Sequence, residues 1–448
     1  MRHKHTILIA LFFALRPSPV FAQTQVSTPR INSHRIAKLW SDIQSGDQAA
    51  LPKFWEEAKG KMPMWEWIFP PRGNNGFLWA TYVWHGDDKT VGVTLRGGVA
   101  SEMSGSTGAL ERLPGTDVWY LSEYTPSDSR IGYNFEVTIR NAQGQLERKE
   151  EMDSLNSHTF LDESVLEMPS APAQPWVTRQ PGVPEGQVTP QTIYSDILNQ
   201  QREFSVYTPA NYRTSTKPAN LLVLFDGQSY TSGIPAPVIL DNLITRGKIA
   251  PTVAVLIRSN NVDSQNRNTR TADLTCSKPF ADFVVKELVP WVKTHYRISP
   301  NPGRAIIGGH SLGGLQATYV AFTYPNIFGN VLSESGSYFY FQGWPFIEKT
   351  FTTHTGWLTQ QFATTPKKSL RLYLETGTFE GDGVAEVRRM RDVLIAKGYA
   401  PTYYEFNGGH DQFWQIQDLF KDASRARRVT ITRAGATLTK TIKPRPLA

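Results

Sequence analysis

Of the 448 residues only Cys276 is a cysteine. An internal disulfide is thereby excluded, and with it the small secreted scaffolds that depend on such links. A chain of this length with 40% hydrophobic and 12% aromatic residues buries enough core to stand without one, and it exceeds one ordinary domain. Beyond the N-terminus no segment is long and apolar enough to cross a bilayer. Repeats and low-complexity tracts are absent. Acidic residues are missing from residues 425–448, where Arg425, Arg427, Arg428, Arg433, Lys440, Lys443 and Arg445 stand unopposed.

That last absence explains the net charge. Without Arg2, Lys4 and Arg16 of the opening segment the formal +7 becomes +4, and without the seven tail cations it becomes −3. Basicity is a property of the two ends, so the reading is a solvated tail and no nucleic-acid partner.

The opening MRHKHTILIALFFALRPSPVFAQTQ joins a basic start to an apolar run from Thr6 to Leu15, then Pro17 and Pro19, then a small residue at Ala22. This is the layout of a secretory signal peptide over 1–22, too short for a stable membrane span. It predicts an exported chain with no stable membrane insertion after the leader is removed.

Between 23 and 168, a helical lead-in (RIAKLWSDIQSG, LPKFWEEAKG) precedes short alternating runs such as FLWATYVW, KTVGVTLRG, DVWYLSEY and IGYNFEVTIR. Strands at this spacing predict an antiparallel β-sandwich. A proline-dense linker follows over 169–190. From 191 to 424 compact apolar runs (ANLLVLFDG, PTVAVLIRS, RAIIGG, SLRLYLETG, PTYYEFNGG) alternate with helical periods at 280–296 and 384–398. That alternation predicts a mostly parallel sheet covered on both faces. In the basic tail, 425–448, VTITRAGATLTKTI alternates; it reads either as an edge strand or as disorder.

The sharpest signal is Gly309-His310-Ser311-Leu312-Gly313, a G-x-S-x-G between a buried strand and a helix. A nucleophilic serine must stand proud of the sheet edge on a strained turn, so its neighbours need to be small. Leu312, at the helix start, offers a backbone N–H to a developing oxyanion. Serine also needs a base, and His410, in NGGHDQFW after the last predicted strand, is better placed than His295, His310 or His354. A carboxylate must orient that imidazole. LYLETGTFEGDG offers Glu380 in the loop, with Glu375 and Asp382 as alternatives. The order serine, acid, histidine is that of the α/β-hydrolases, and the reaction it predicts is acyl transfer to water. A second oxyanion donor is expected from Gly227 or Gln228 in LFDGQSY. Five tryptophans (Trp65, Trp67, Trp79, Trp84, Trp119) could stack on substrate rings, but aromatics in a sandwich are more often core and are given no site; Tyr338 and Trp414, near the catalytic motifs, could wall the pocket, though packing alone explains them.

Together LFDGQ, the element Arg270-Thr271-Ala272-Asp273-Leu274, GGHSLGG, VLSESGSY, LETG and GGHD resemble the enterochelin (ferric-enterobactin) esterases, and GVTLRGG with RLPGTDVWYLSEY resembles their N-terminal part. The resemblance spans nearly the whole mature chain. It implies an immunoglobulin-like front sandwich beside an α/β-hydrolase domain of the esterase-D type. It implies hydrolysis of the ester bonds of a ferric catecholate siderophore into dihydroxybenzoyl-serine, with no cofactor because the iron belongs to the substrate. It further makes Arg270 a substrate-binding candidate, a guanidinium fork suited to anionic catecholate oxygens, against a salt bridge with Asp273. Two departures stand out. The family element reads R-x-x-E-L, where this chain has Asp273; and a signal peptide is unexpected for a two-domain form, placing the reaction in the periplasm. The alternatives carried are a feruloyl or carbohydrate esterase, an acyltransferase of the same fold, and a non-catalytic siderophore carrier.

Overall fold

The structure, a computed structural model, describes residues 31–68, 76–99, 108–259, 268–341 and 355–412, with the backbone of 429–433 and 436–440. The signal segment, His354 and Trp414 lie outside the described residues. Among the described residues no helix is long and apolar enough to cross a membrane.

The front region is built from two antiparallel sheets. One has the order β1 (Met64–Trp67), β2 (Phe77–His85), β5 (Val118–Pro126), β4 (Glu111–Arg112). The other has β3 (Thr90–Gly97), β6 (Arg130–Arg140), β9 (Glu163–Glu167), β8 (Thr159–Phe160), with β7 (Leu146–Glu151) paired to β6. Alternation assigns the faces: Leu78, Ala80 and Tyr82 of β2 share a core with Val93, Leu95, Ile131, Tyr133, Phe135 and Leu166 of the second sheet, while Val83 turns the other way. Helices α1 (His34–Gln44) and α2 (Ala50–Ala58) cover Val83 through Ile36, Leu39 and Ala58. Ser33 caps α1, its hydroxyl accepting from the Ile36 N–H, which satisfies one of the amides a helix start leaves open.

The segment after β9 is tied down along its length. Asn242 receives the Gln180 N–H and donates to the carbonyls of Trp176 and Thr178. Asp241 accepts the Gly186 N–H.

The C-terminal region is one mixed sheet of eight strands, ordered β10 (Gln187–Ser195), β11 (Gln200–Thr208), β13 (Thr252–Ile257), β12 (Asn220–Leu224), β14 (Ala305–His310), β15 (Asn330–Glu334), β16 (Arg371–Gly377), β17 (Thr402–Phe406). The pairs from β13 to β17 are parallel; β10 and β11 join antiparallel at one edge. Both faces are covered, as the unbroken apolar runs require. Leu221, Val223, Val253 and Val255 face a cluster shared with Leu315, Val320 and Met390, whereas Leu222, Leu224, Ala254 and Leu256 face Ile239, Leu240 and Leu243 of α3 (Ala236–Thr245). The periodic stretch 280–296 is not one uniform α-helix: a turn of π-helix, Phe283–Leu288, lies between Lys278–Asp282 and Val289–His295. In the tail, β18 (Val429–Arg433) and β19 (Ala436–Lys440) pair with each other and not with the edge of the large sheet.

Candidate active site

Parallel strands end at one edge, so the loops that follow them converge. Ser311 sits there between β14 and helix α4 (Leu312–Thr323), at φ 58° and ψ −121°. That backbone is strained for a residue with a Cβ, and the neighbours are small by necessity. A Cβ on Gly309 would meet the Gly313 carbonyl carbon at 2.9 Å, and one on Gly314 would meet Ser333 Oγ at 2.8 Å. The turn is pinned by its own backbone: the Ser311 N–H donates to Glu334 O at 2.9 Å, and Ser311 O accepts from Leu315 N–H and Ser337 N–H, each at 3.1 Å. Ser311 Oγ lies 3.2 Å from Ser337 Oγ. The Leu312 N–H belongs to the first turn of α4, which leaves its amides without intrahelical acceptors.

A pocket of about 830 Å³ opens at this corner, lined among others by Arg270, Ser311, Leu312, Ser337, Glu380 and His410, a size suited to an organic ligand. Glu380 comes from the loop after β16. Its Oε1 accepts the Gly377 N–H at 2.6 Å and the Ser335 hydroxyl at 2.5 Å, and its Oε2 lies 2.8 Å from His410 Nδ1. The carboxylate is 4% exposed, the imidazole 44%. A carboxylate at Nδ1 holds the proton on that nitrogen and leaves the Nε2 lone pair available as a base. Of the three acids considered, Glu380 meets His410. Glu375 lies buried inside β16 with Tyr373 donating to it, and Asp382 stands at the pocket wall at the start of helix Asp382–Ala396.

Two expectations are corrected. Gly227 is not an open donor: its N–H is spent on Ile257 O at 2.7 Å, and a Cβ there would come within 2.4 Å of the Leu256 carbonyl carbon. The turn, with Asp226 at φ 54°, folds Gly227 against β13. The Gln228 N–H, by contrast, has no acceptor among the described residues, while its side-chain oxygen accepts the Ser259 N–H. The salt bridge weighed between Arg270 and Asp273 is also absent. Arg270 forks onto Asp226, Nε to Oδ1 at 2.7 Å and Nη2 to Oδ2 at 2.8 Å, and stays one-third exposed at the pocket. Asp273 turns inward to the fully buried Arg202 at 2.5 Å and to Thr269, with the Arg202 guanidinium 5.0 Å from the Phe280 ring.

Nothing in the local sequence sets His310 apart. It is buried, with its ring centroid 4.4 Å from that of His410. Burial first, then the neighbouring His410 and the Arg270 charge, holds it well below the ordinary histidine range, so it is neutral. Register aligns His310 with Glu334 and Glu334 with Glu375 across three strands. Burial pushes the Glu334 carboxyl up to about 7, with the Tyr230 hydroxyl donating to it at 2.8 Å. Tyr338 is core, donating to Ser333 and sharing a hydrogen bond with Thr318.

Comparison with known proteins supplies relatives of this chain. The esterase family model matches residues 195–426, and the enterochelin esterase N-terminal model matches 76–177. The iron(III) salmochelin esterase of Escherichia coli is 27% identical over 405 residues, covering 85% of this chain and 94% of that one. The iron(III) enterobactin esterase of Dickeya dadantii is 28% identical over 421 residues, covering 84% and 92%. The crystal structure of the enterobactin esterase from Shigella flexneri in the presence of enterobactin superposes with a TM-score of 0.66 at 25% identity, covering 83% of this chain and 97% of that one.

Proposed function

The chain belongs to the esterase family, and from that membership we propose that it hydrolyses the ester bonds of enterobactin-type catecholate siderophores, releasing dihydroxybenzoyl-serine products. Relatives that match it nearly end to end are esterases of iron(III) enterobactin and salmochelin. The observation that carries the mechanism is the meeting of Ser311, His410 and Glu380 around one pocket, with Glu380 on His410 Nδ1. In the finer reading, the C-terminal sheet is an α/β-hydrolase and the front sheets an immunoglobulin-like sandwich.

His410 Nε2 takes the Ser311 proton as Oγ attacks a lactone carbonyl, and the oxyanion forms beside the Leu312 and Gln228 N–H groups, each donor contributing about 10²–10³ in rate. The imidazolium, steadied by Glu380, returns the proton to the leaving serine hydroxyl of the substrate. An acyl-enzyme remains, and the same histidine activates water to cleave it. Arg270 keeps three N–H groups beyond the two given to Asp226, suited to the catecholate oxygens of the bound iron complex. The chemistry is proton transfer and nucleophilic substitution by side chains. The iron arrives with the substrate.

Export through residues 1–22 places this reaction in the periplasm; a mature protein whose N-terminal peptide begins after Ala22 is the expected finding, and recovery of an intact Met1 from the cytoplasm contradicts it. The function is tested by fluorophosphonate labelling with peptide mapping. The label is expected on Ser311, with protection by ferric enterobactin and none by feruloylated xylan. Protection by the glycan alone sinks the siderophore reading.

A further inference from the structure

The loop carrying Glu380 and the loop carrying His410 are laced into one unit. The Thr378 N–H donates to Phe406 O at 2.8 Å and the Phe379 N–H to Gly408 O at 3.1 Å, while a Cβ on Gly377 would lie 2.3 Å from Gly408 O. Thr378 Oγ1 donates to Asn407 Oδ1 at 3.0 Å.

This unit is held from outside the C-terminal region. Phe379, next in sequence to Glu380, is 3% exposed and belongs to the core of the front sheets, with Leu78, Ile131, Leu166 and Met168. The Arg130 N–H donates to Asn407 O at 3.2 Å, and Asn407 Nδ2 donates to Asp128 Oδ1 at 2.8 Å. Val165 of β9 packs on Phe406 at the end of β17. Asp411, next to His410, reaches β6: a Cβ built on Gly132 would stand 2.8 Å from Asp411 Oδ1 and 2.6 Å from Glu163 Oε2, and the Asp411 carboxylate accepts the Gly409 N–H at 3.2 Å.

These contacts between the front sheets and the C-terminal region thus fall on the two loops that carry acid and base. We propose that the front sheets set the catalytic geometry, with Phe379, Asn407 and Asp411 as positioning residues that act through Glu380 and His410. The inference rests on the serine-esterase reading of Ser311, His410 and Glu380. Packed cores accept discrete arrangements and resist gradual deformation, so a ring seated among the front sheets fixes the backbone of the carboxylate beside it. Misplacement of a catalytic group by 1 Å costs about 10²-fold in rate.

The test uses the full-length protein and a small neutral ester, 4-nitrophenyl acetate, which touches little beyond the reacting centre. Phe379→Ala is expected to lower kcat about 10- to 100-fold with KM changed less than about twofold, and to move the acidic limb of kcat/KM to lower pH, because His410 loses its oriented carboxylate. Phe379→Leu, which refills the front core, is expected to restore most of kcat and the limb. Val93→Ala, in the same core but remote in sequence from either loop, serves as the stability control and is expected to lower the melting temperature while the folded protein keeps kcat and its limb. The proposal is overturned if Phe379→Ala keeps kcat and limb, or if Val93→Ala loses activity as Phe379→Ala does. Cleavage of 4-nitrophenyl acetate without any cleavage of enterobactin would remove the substrate reading and leave this inference standing.

Discussion

The front sheets and the C-terminal sheet differ in where their strands end. In the front, antiparallel pairing sends consecutive strands in opposite directions, so their loops divide between two edges. In the back, six adjacent strands run parallel. Their ends bring the turn at 226–228, the corner at Ser311, the Glu380 loop and the His410 loop to one edge. Buried polar groups occur in both: Tyr133 in the front donates to Asp153, which also takes the Leu155 N–H, while His310 and Glu334 in the back are register partners on adjacent strands. Topology thus decides which region carries chemistry, and the other acts by what it holds.

The comparison is sharpened first by the group that links the two regions. Glu380→Gln is expected to lower kcat about 10²- to 10⁴-fold, with the acidic limb of the rate profile displaced to lower pH; a variant at wild-type rate would mean that His410 is oriented without it. Asp273→Asn strands the Arg202 charge, which is fully buried, and is expected to cost about 3–5 kcal/mol of stability in chemical denaturation. An unchanged midpoint would show that Thr269 and the Phe280 ring suffice. Arg270→Ala should raise KM for the anionic ferric siderophore about tenfold, with little change for a neutral short ester, and equal effects on both would assign Arg270 to the fold alone.

The smallest effect concerns the junction. Asp411 faces Glu163, with Asp162 and Glu150 behind it, and His410 beside it. Burial first, then the Glu163 charge, pushes the Asp411 carboxyl up to about 7. A carboxyl raised in the folded state holds a proton that the unfolded chain has released, so its contribution is complete below the ordinary value near 4 and is lost as pH rises through about 7. Wild-type melting temperature is expected to fall by a few degrees more than that of Asp411→Asn between pH 5 and 8. Parallel curves would contradict the assignment.

Ser311, His410 and Glu380 were legible because each carries a local mark: small residues at a strand-to-helix corner, a histidine after the last strand, an acid in a loop. Strand alternation likewise marked the front sheets, and continuous apolar runs marked the back. What stayed hidden depends on contacts distant in sequence. Asp226 precedes Arg270 by 44 residues and Arg202 precedes Asp273 by 71, so nothing local reveals either pair, and the nearer acid at Asp273 misled. Gly227 misled for a related reason, since a glycine after a strand reads as an open amide until the neighbouring strand is known to claim it. Phe379 reads as an ordinary loop aromatic, and its burial in the front core is a fact of tertiary packing alone.

The central claim is that this corner cleaves a catecholate trilactone. Purified protein, wild type beside Ser311→Ala, is incubated with ferric and iron-free enterobactin and the products are separated by chromatography. The account predicts linear dihydroxybenzoyl-serine species from the wild type only, with Ser311→Ala reduced by about 10³-fold or more while still binding the ferric complex. Binding by both proteins with cleavage by neither would contradict it and identify a carrier.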